Sequence, residues 1–446
     1  MDKKISGRNY MLIASMLFGL FFGAGNLIFP IRMGALAGEN VGAALVGMLV
    51  SAVGIPLLGI ISMGISRSEG LMHMSGRVSK GYSYFFTCAL YLTIGPLFAI
   101  PRCAAVSFTV GVVPLLGGSG VAVPQLIFTT VFFAMVLYFS LKPSKIMDSV
   151  GKLLNPIFLV FLGILMITAL IKPVQSIGSV PAVGDYENGA FFAGFLQGYD
   201  TLDALASLAF GIVVINVIRG LGVTEPTDIA KSTVKSGVFS MILMAAIYAG
   251  IAVVGTQCHG LYADRLADSS FTGGDIFAIV SRHYFGETGG ILLALTATFC
   301  CMKTAVGLIT SCSETFSSMF KWVKYRPCAI TLTVFALLIS NVGLNLIIQF
   351  SAPVLYFLYP LAIVLILLSL LGRFFHYDKN VMVWTIGFTV AAAALEVPRV
   401  GGILPGVAAW TQGWLPLYSL GLGWVAPAAL GLAIGFILRA RGRKTA

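Results

Sequence analysis

The residues best suited to bind a polar ligand lie within the first apolar segment, at Gly23-Ala-Gly-Asn26. Glycine favours a break in a helix, and a break leaves main-chain N–H and C=O groups without helical partners. In a membrane, such irregular backbone is tolerated only where protein buries it or where it lines a cavity. The stretch from Gly19 to Pro30 therefore predicts either a broken helix whose polar main chain faces a ligand, or a kinked helix that packs closely through small residues.

A second polar interruption lies in the apolar segment 191–218. Its polar and small residues are Gly198, Tyr199, Asp200, Thr201 and Asp203. Ionisable side chains inside an apolar segment are costly, and by default they mark a functional site or a buried partner. Asp200 and Asp203 share one face if the segment stays helical. Asp203 is expected to be the more structural of the two, with a role in capping the broken helix, and plain capping stays open for both acids.

A third polar set lies in the apolar segment 290–319, where Lys303, Gly307, Thr310 or Ser311, and Glu314 recur at helical spacing. This spacing predicts one polar stripe that faces the neighbouring helices. A lysine removed from water can release its proton near neutral pH. Alternatively, Lys303 pairs with an acid such as Asp203 or Glu314, or extends its ammonium towards water. Both interpretations stay open on the residues alone.

These residues must be positioned by helices that cross a membrane. Of the 446 residues, 58% are hydrophobic and only 10% are charged, whereas soluble domains carry roughly 25% charged residues. With a mean hydropathy of +0.95, the chain is predicted to be an all-α polytopic membrane protein. A template of about 20 apolar residues per span predicts about twelve helices, at 10–37, 41–65, 82–110, 122–141, 153–171, 191–218, 237–257, 290–319, 328–347, 351–371, 381–396 and 416–438.

The distribution of positive charge predicts an orientation. The net charge is +11, but Lys and Arg gather in alternate loops and at both termini, which follows the positive-inside rule and argues against a nucleic-acid partner. The N-terminal segment lacks a cleavage signal, so it is expected to be a retained first helix. Both termini are therefore expected in the cytoplasm. Of the 28 basic residues, the outer loops hold only Lys172, Arg265, Arg282 and Arg399.

Several function classes are disfavoured by what the sequence lacks. No Gly-x-x-x-x-Gly-Lys-Ser/Thr phosphate loop is present, so direct use of ATP is not expected. The seven cysteines form no Cys-x-x-Cys pair and the four histidines lie in loops, so no metal site or other cofactor is expected. A membrane-embedded enzyme would cluster histidines or paired carboxylates at one leaflet, but the histidines of this sequence are scattered. A channel would show a repeated filter motif, and the sequence contains none. Beyond the lipid bilayer, no obligate protein partner is indicated.

The two interruptions occupy corresponding places in the order of the spans. The first and the sixth predicted spans, 10–37 and 191–218, lie five positions apart and run in opposite directions. Broken helices in corresponding positions are typical of inverted repeats, and in secondary transporters they hold substrate and coupling ions at the interface of the repeats. The sequence therefore predicts a secondary transporter and no enzymatic activity.

A family resemblance rests on motifs spread over nearly the whole chain: Gly23-Ala-Gly-Asn-Leu-Ile-Phe-Pro30, Gly95-Pro-Leu-Phe-Ala-Ile-Pro-Arg102, Val106-Ser-Phe108, Gly198-Tyr199 with Asp203, Phe210-Gly-Ile-Val213, Gly222-Val-Thr-Glu225 and Thr304-Ala-Val-Gly-Leu308. Together they resemble the branched-chain amino acid:cation symporters of the amino acid–polyamine–organocation superfamily. The resemblance implies a leucine-transporter fold in one transmembrane domain, 1–446, with inverted repeats at 10–171 and 191–371 and two peripheral helices at 381–438. It also implies a bacterial inner membrane and the import of leucine, isoleucine or valine by cation symport and alternating access.

The implied substrate site lies between the two interruptions. A zwitterionic amino acid needs donors for its carboxylate, such as the N–H groups of Ala24, Gly25 and Asn26, and acceptors for its ammonium. The predicted substrate-binding residues are Gly23, Ala24, Gly25, Asn26, Gly198, Tyr199, Asp200 and Thr201. An apolar pocket for the side chain discriminates by only about 1–3 kcal/mol per methylene. Several aliphatic amino acids are therefore expected as substrates.

The implied cation site departs from the family pattern at one position. In sodium-coupled relatives, hydroxyls at the positions of Lys303 and Thr304 complete a sodium site with carbonyls near Gly19 and Phe22, but Lys303 supplies a cation instead of an oxygen. Sodium coupling therefore stays open beside a proton-coupled or uncoupled carrier in which Lys303 replaces the sodium ion. A transporter of the same fold for another small substrate also stays open.

Structural or gating roles are expected for three charged residues in the spans, Arg102, Asp203 and Glu314. Arg102 is expected near the outer end of the third span. There it would gate an outer vestibule or pair with an outer acid such as Glu39.

Overall fold

The structure is a computed structural model that describes residues 7–116, 120–142, 145–223, 225–268 and 270–444. All regular elements within these ranges are helices, as the apolar composition predicts. Among the described residues, seven helical stretches are long and apolar enough to cross a membrane, and a bent pair covering Asp203–Gly211 and Val213–Gly220 makes an eighth if it is one span. The chain is a multi-pass membrane protein.

The described part of the first half contains nine α-helices, which are joined by short turns and by single 3-10 or π segments. They are α1 (Gly7–Phe21), α2 (Ala24–Ala37), α3 (Val41–Leu49), α4 (Ile55–Ile65), α5 (Leu71–Gly76), α6 (Lys80–Leu92), α7 (Ala99–Gly111), α8 (Ala122–Leu141) and α9 (Lys145–Ile171).

The second half continues with α10 (Asp185–Gln197), α11 (Asp203–Gly220), α12 (Pro226–Gln257), α13 (Gly273–Met319), α14 (Tyr325–Ser340), α15 (Leu344–Leu371), α16 (Lys379–Val400), α17 (Pro405–Gln412) and α18 (Val425–Lys444).

Helix ends follow local sequence signals. Ser79 precedes α6 and its hydroxyl accepts a hydrogen bond from the Tyr82 N–H at 3.1 Å. Asp378 precedes α16 and accepts from the Asn380 N–H at 2.9 Å. Both are N-caps, which satisfy amide groups that have no partner within the helix. Pro226 opens α12, where its missing N–H costs nothing.

The twelve predicted spans do not map one to one onto the helical stretches. Some are merged, because α2 to α4 form one stretch of 42 residues, Ala24–Ile65. Others are split, because the first predicted span, 10–37, is divided between α1 and α2, which have 15 and 14 residues. Each half is shorter than the roughly 20 residues that a straight span needs. The count of twelve spans stays a prediction.

Helix α2 lies at the centre of the molecule, and nearly all of its residues are buried. It packs against α7, α12 and α13. A Cβ atom at Gly34 would lie 1.8 Å from the Ala252 carbonyl oxygen of α12, and one at Gly255 would lie 2.2 Å from the Ile31 carbonyl oxygen. Small residues thus let the two backbones touch, as is typical of helix pairs in membranes. This contact holds the C-terminal half of α2 against α12.

At the C-terminal end, α16 and α18 pack on each other beside α15. The Glu396 side chain in α16 is fully buried, and the Arg399 Nη2 atom lies 2.9 Å from its Oε2 atom. The Gly423 N–H also donates to Glu396 Oε1 at 3.1 Å. This buried ion pair fixes the turn that leads into α18.

Candidate functional site

The first helix break lies where the sequence predicts it. Helix α1 ends at Phe21 and α2 begins at Ala24, with Gly23 in an extended conformation between them (φ −133°, ψ −161°). The Asn26 side chain supports the break, because its Oδ1 atom accepts a hydrogen bond from the Gly23 N–H at 2.8 Å. The N-terminal turn of α2 therefore begins inside the protein.

The second break separates α10 from α11. Residues Gly198–Thr201 form one 3-10 turn, and Leu202 adopts a left-handed conformation (φ +67°) before α11 starts at Asp203. Because Leu202 interrupts the helix, the condition under which Asp200 and Asp203 would share one helical face is not met. The Asp200 Oδ2 atom accepts from the Gln197 Nε2 atom at 2.6 Å, whereas the Asp203 side chain lies in a different cluster.

Asp203 joins the two breaks. Its carboxylate accepts hydrogen bonds from Asn26 Nδ2 at 3.1 Å (Oδ1) and 2.9 Å (Oδ2), and from the Tyr248 hydroxyl at 2.7 Å. The Asn26 amide also contacts the Tyr248 hydroxyl. Within the described residues, the Asp203 side chain accepts from Asn26 and Tyr248 and from no N–H group of α11, so the capping role expected for it is wrong. The Asn26–Asp203–Tyr248 cluster instead links α2, α11 and α12, and all three side chains are buried.

Arg102 lies at this centre, although the sequence predicts a position near an outer end. The side chain is 3% exposed, and its Nη1 atom donates to the Asp200 carbonyl oxygen at 2.7 Å. Its guanidinium carbon lies 5.0 Å from the centre of the Phe29 ring. The expected pairing with Glu39 is wrong, because Glu39 is exposed and Arg102 instead holds the 3-10 turn of the second break.

A small cavity of about 40 Å³ lies between the two breaks. Its polar wall contains Asn26, Arg102, Thr201, Asp203 and Thr304, and its apolar wall includes Phe21, Ile94, Phe210 and Leu308. Of the predicted substrate-binding residues, Gly23, Ala24, Gly25, Asn26 and Thr201 line this cavity. Gly198, Tyr199 and Asp200 are not part of its lining. The Tyr199 ring instead stacks on Tyr359 of α15, with 4.1 Å between ring centres.

Comparison with known proteins identifies the family of this chain. Residues 6–441 match the family model described as branched-chain amino acid transport protein. The chain belongs to this family. Its members and the relatives below are transport proteins and permeases, not enzymes.

The relatives match over almost their full length. The chain is 47% identical to the branched-chain amino acid permease BrnQ of Lactobacillus delbrueckii subsp. lactis, over 97% of each chain. It is 41% identical to BrnQ of Bacillus subtilis (strain 168), over 100% of each. It is 35% identical to BrnQ of Escherichia coli (strain K12), over 100% of this chain and 99% of that one.

The fold is similar to that of solved transporter structures. Mhp1, a nucleobase-cation-symport-1 family transporter, in a closed conformation with bromovinylhydantoin bound, matches with a TM-score of 0.58 at 15% identity. The match covers 98% of this chain and 93% of that one. The inward-facing conformation of Mhp1 also matches with a TM-score of 0.58, at 13% identity, over 97% and 91% of the two chains. At this identity, the likeness concerns the fold alone.

In this family member, α13 brings Thr304 to the first break. The Thr304 Oγ1 atom lies 3.5 Å from the Phe22 carbonyl oxygen, and the Cys300 Sγ atom lies 3.4 Å from the same oxygen. Gly19 is buried one turn earlier, in α1. Lys303 is half-buried and is not part of the cavity lining.

The polar stripe predicted on α13 does not face the helix bundle. Glu314 is exposed, and Lys303 and Gly307 are only half-buried. The buried face of α13 carries small and apolar residues instead, including Cys301, Ala305, Leu308 and Cys312. These residues let α13 pack closely on its neighbours, so the helix is rotated away from the predicted orientation.

Sequence reasoning missed one residue of the central site, Tyr248, and misplaced another, Arg102. Tyr248 carries no signal, because a tyrosine inside an apolar helix usually serves packing. Arg102 carries a clear signal, since a buried arginine in a span marks a functional site by default. What the sequence does not give is the depth of Arg102 along its span and the partner it meets, because both depend on how α7 packs.

Proposed function

We propose that this protein imports leucine, isoleucine and valine across the bacterial cytoplasmic membrane by cation symport and alternating access. The proposal rests on one observation above all: a buried cavity with both polar and apolar walls lies between two helix breaks. It is supported by the relatives, which are named branched-chain amino acid permeases at up to 47% identity.

The same proposal includes the finer architecture. Twelve spans would form inverted repeats at 10–171 and 191–371, with peripheral helices at 381–438. The break between α1 and α2 and the break before α11 fall at corresponding places in such an arrangement. The Lys and Arg distribution supports cytoplasmic positions for both termini.

The cavity offers the groups that a zwitterionic aliphatic amino acid needs. The N-terminal turn of α2, at Ala24 and Gly25, favours a carboxylate, and Phe21, Ile94 and Phe210 surround an aliphatic side chain. A cavity of about 40 Å³ holds water-sized molecules. Substrate binding therefore requires its walls to move apart, as an alternating-access carrier does when it opens.

The proposed coupling ion is sodium, held by the carbonyl oxygens of Phe22 and Gly19 and by the Thr304 hydroxyl. The approach of Thr304 to the Phe22 carbonyl supports this choice. The second candidate is a proton-coupled or uncoupled carrier, in which Lys303 replaces the ion. Its support is the position of Lys303, which directly precedes Thr304 in α13.

Leucine uptake into proteoliposomes tests the function and separates the coupling ions. The purified protein is given a sodium gradient, a proton gradient or neither. Accumulation driven by sodium alone supports the sodium site and excludes Lys303 as its substitute. Accumulation driven by protons, indifferent to sodium and lost in Lys303→Thr, supports the second candidate. No leucine uptake under any condition would refute the proposed substrate.

A further inference from the structure

The central cavity contains two buried, oppositely charged side chains that do not pair with each other. Arg102 is 3% exposed and Asp203 is 1% exposed, and both line the cavity. The ion pairs found in the described part of the chain do not join them. Buried charges are normally paired, because a lone charge away from water is strongly unfavourable. The arrangement therefore leaves room for a ligand that carries both charges.

The Arg102 guanidinium has donors to spare. In the described part of the chain it makes one hydrogen bond, from Nη1 to the Asp200 carbonyl oxygen at 2.7 Å. Its Nε atom is buried without a partner. Because a guanidinium carries five N–H groups in a fixed fork that matches a carboxylate, this side chain can hold the turn and still bind an anion.

The guanidinium also lies against the N-terminal turn of α2. A Cβ atom at Gly25 would lie 2.9 Å from the Arg102 Nη2 atom, so a side chain there would displace the guanidinium. The N-terminus of a helix carries partial positive charge. The guanidinium and the helix N-terminus together make this side of the cavity favourable for an anionic group such as a carboxylate.

Asp203 provides the opposite charge. Among the described residues, its Oδ2 atom accepts from both Asn26 and Tyr248, whereas its Oδ1 atom accepts from Asn26 at 3.1 Å. An ionised carboxylate has about four acceptor positions. Asp203 thus retains capacity for a further donor such as an ammonium group.

We propose that Arg102 binds the α-carboxylate of the transported amino acid at the N-terminus of α2, while Asp203 receives its ammonium group. This inference rests on the proposed function, and it identifies which part of the substrate each residue recognises. Recognition by these two side chains adds to the main-chain contacts of the two breaks. Arg102 also orients the second break through the Asp200 carbonyl, so its role must be separated from a purely structural one.

Binding of analogues to the purified full-length protein makes that separation. Leucine carries both charges, leucinamide lacks the carboxylate, and 4-methyl-2-oxopentanoate lacks the ammonium. We expect the wild type to bind leucine at least about 100-fold more tightly than either analogue, because an analogue without one charge leaves Arg102 or Asp203 buried and unpaired. In Arg102→Gln the preference over leucinamide should fall to within about threefold, while Arg102→Lys should keep part of it.

Two further variants keep the test decisive. Gly25→Ala retains both charges but crowds the Arg102 Nη2 atom, so it should weaken the binding of leucine more than the binding of leucinamide. This variant keeps the test available even if Arg102→Gln does not fold. Asp203→Asn should reduce the preference for leucine over the oxo acid and leave the preference over leucinamide intact. Equal loss of leucine and leucinamide in both Arg102→Gln and Gly25→Ala would show a structural role and overturn the inference. If the wild type bound no leucine at all, the proposed function itself would fail.

Discussion

Replacing Tyr248 by phenylalanine is expected to weaken the cluster that joins the two helix breaks. The Tyr248 side chain is fully buried, and its hydroxyl donates to Asp203 Oδ2 at 2.7 Å while it contacts the Asn26 amide. The substitution keeps the ring, so it removes the hydrogen bonds and leaves no large cavity. A hydrogen bond to a charged group contributes about 1.5–3 kcal/mol. The Asp203 carboxylate would keep its hydrogen bonds from the Asn26 amide.

The loss converts into a measurable change in melting temperature. An unfolding entropy of about 2.1 cal/mol/K per residue, over 446 residues, amounts to about 0.9 kcal/mol/K. A loss of about 1.5–3 kcal/mol therefore lowers the melting temperature by about 2–3 °C. Thermal unfolding of the purified protein in detergent measures this shift.

Tyr82→Phe is the matched control. The Tyr82 hydroxyl is buried and has no hydrogen-bond partner in the described part of the chain. Its removal relieves an unsatisfied polar group, so the melting temperature should stay the same or rise. The reasoning is refuted if Tyr248→Phe has the same melting temperature as the wild type, or if Tyr248→Phe and Tyr82→Phe lower the melting temperature equally.

Three further predictions concern packing, coupling and the peripheral helices. Gly34→Ala should prevent stable folding, because its Cβ would lie 1.8 Å from the Ala252 carbonyl oxygen, whereas a Cβ at Gly42 meets nothing within 4 Å and Gly42→Ala should express normally. Equal yields of the two variants in a fluorescence-detected size-exclusion assay would contradict this prediction. If sodium is the coupling ion, Thr304→Ala should raise the sodium concentration needed for half-maximal leucine uptake by about tenfold, which corresponds to a loss of roughly 1.4 kcal/mol in sodium binding. An unchanged sodium dependence would exclude the Thr304 hydroxyl as a ligand. Arg399→Ala should lower the free energy of unfolding by about 3 kcal/mol, because it leaves the buried Glu396 unpaired. Lys231→Ala removes an exposed ion pair, which contributes about 0–1 kcal/mol, so comparable melting temperatures for the two variants would disprove the distinction.

The helix breaks could be predicted from sequence because they depend on local backbone preference. Gly23 and Gly25 weaken a helix wherever they occur, and Asn26 supports the break through a hydrogen bond only three residues away. The same local logic located the second break at Gly198–Thr201, although it gave no reason for the left-handed Leu202 that separates Asp200 from Asp203.

The contacts across the site could not be predicted, because they join residues that are distant in the chain. Asn26 and Asp203 are 177 positions apart, and Asn26 and Tyr248 are 222 apart. No periodicity within one helix indicates such partners. The rotation of α13 was missed for a related reason: Cys301, Ala305 and Cys312 are small enough to form a close-packed face, and the sequence pattern gave more weight to the polar residues Lys303 and Glu314.

The chemistry of the cavity predicts two different degrees of selectivity. Under the proposed assignment, a zwitterion compensates both Arg102 and Asp203, whereas a ligand with one charge leaves the other side chain buried and unpaired, which costs about 3–5 kcal/mol. Apolar walls such as Phe21, Ile94 and Phe210 discriminate by only about 1–3 kcal/mol per methylene. The carrier should therefore be strict about the amino and carboxylate groups of its substrate and tolerant of the aliphatic side chain. One cavity would then suffice for leucine, isoleucine and valine.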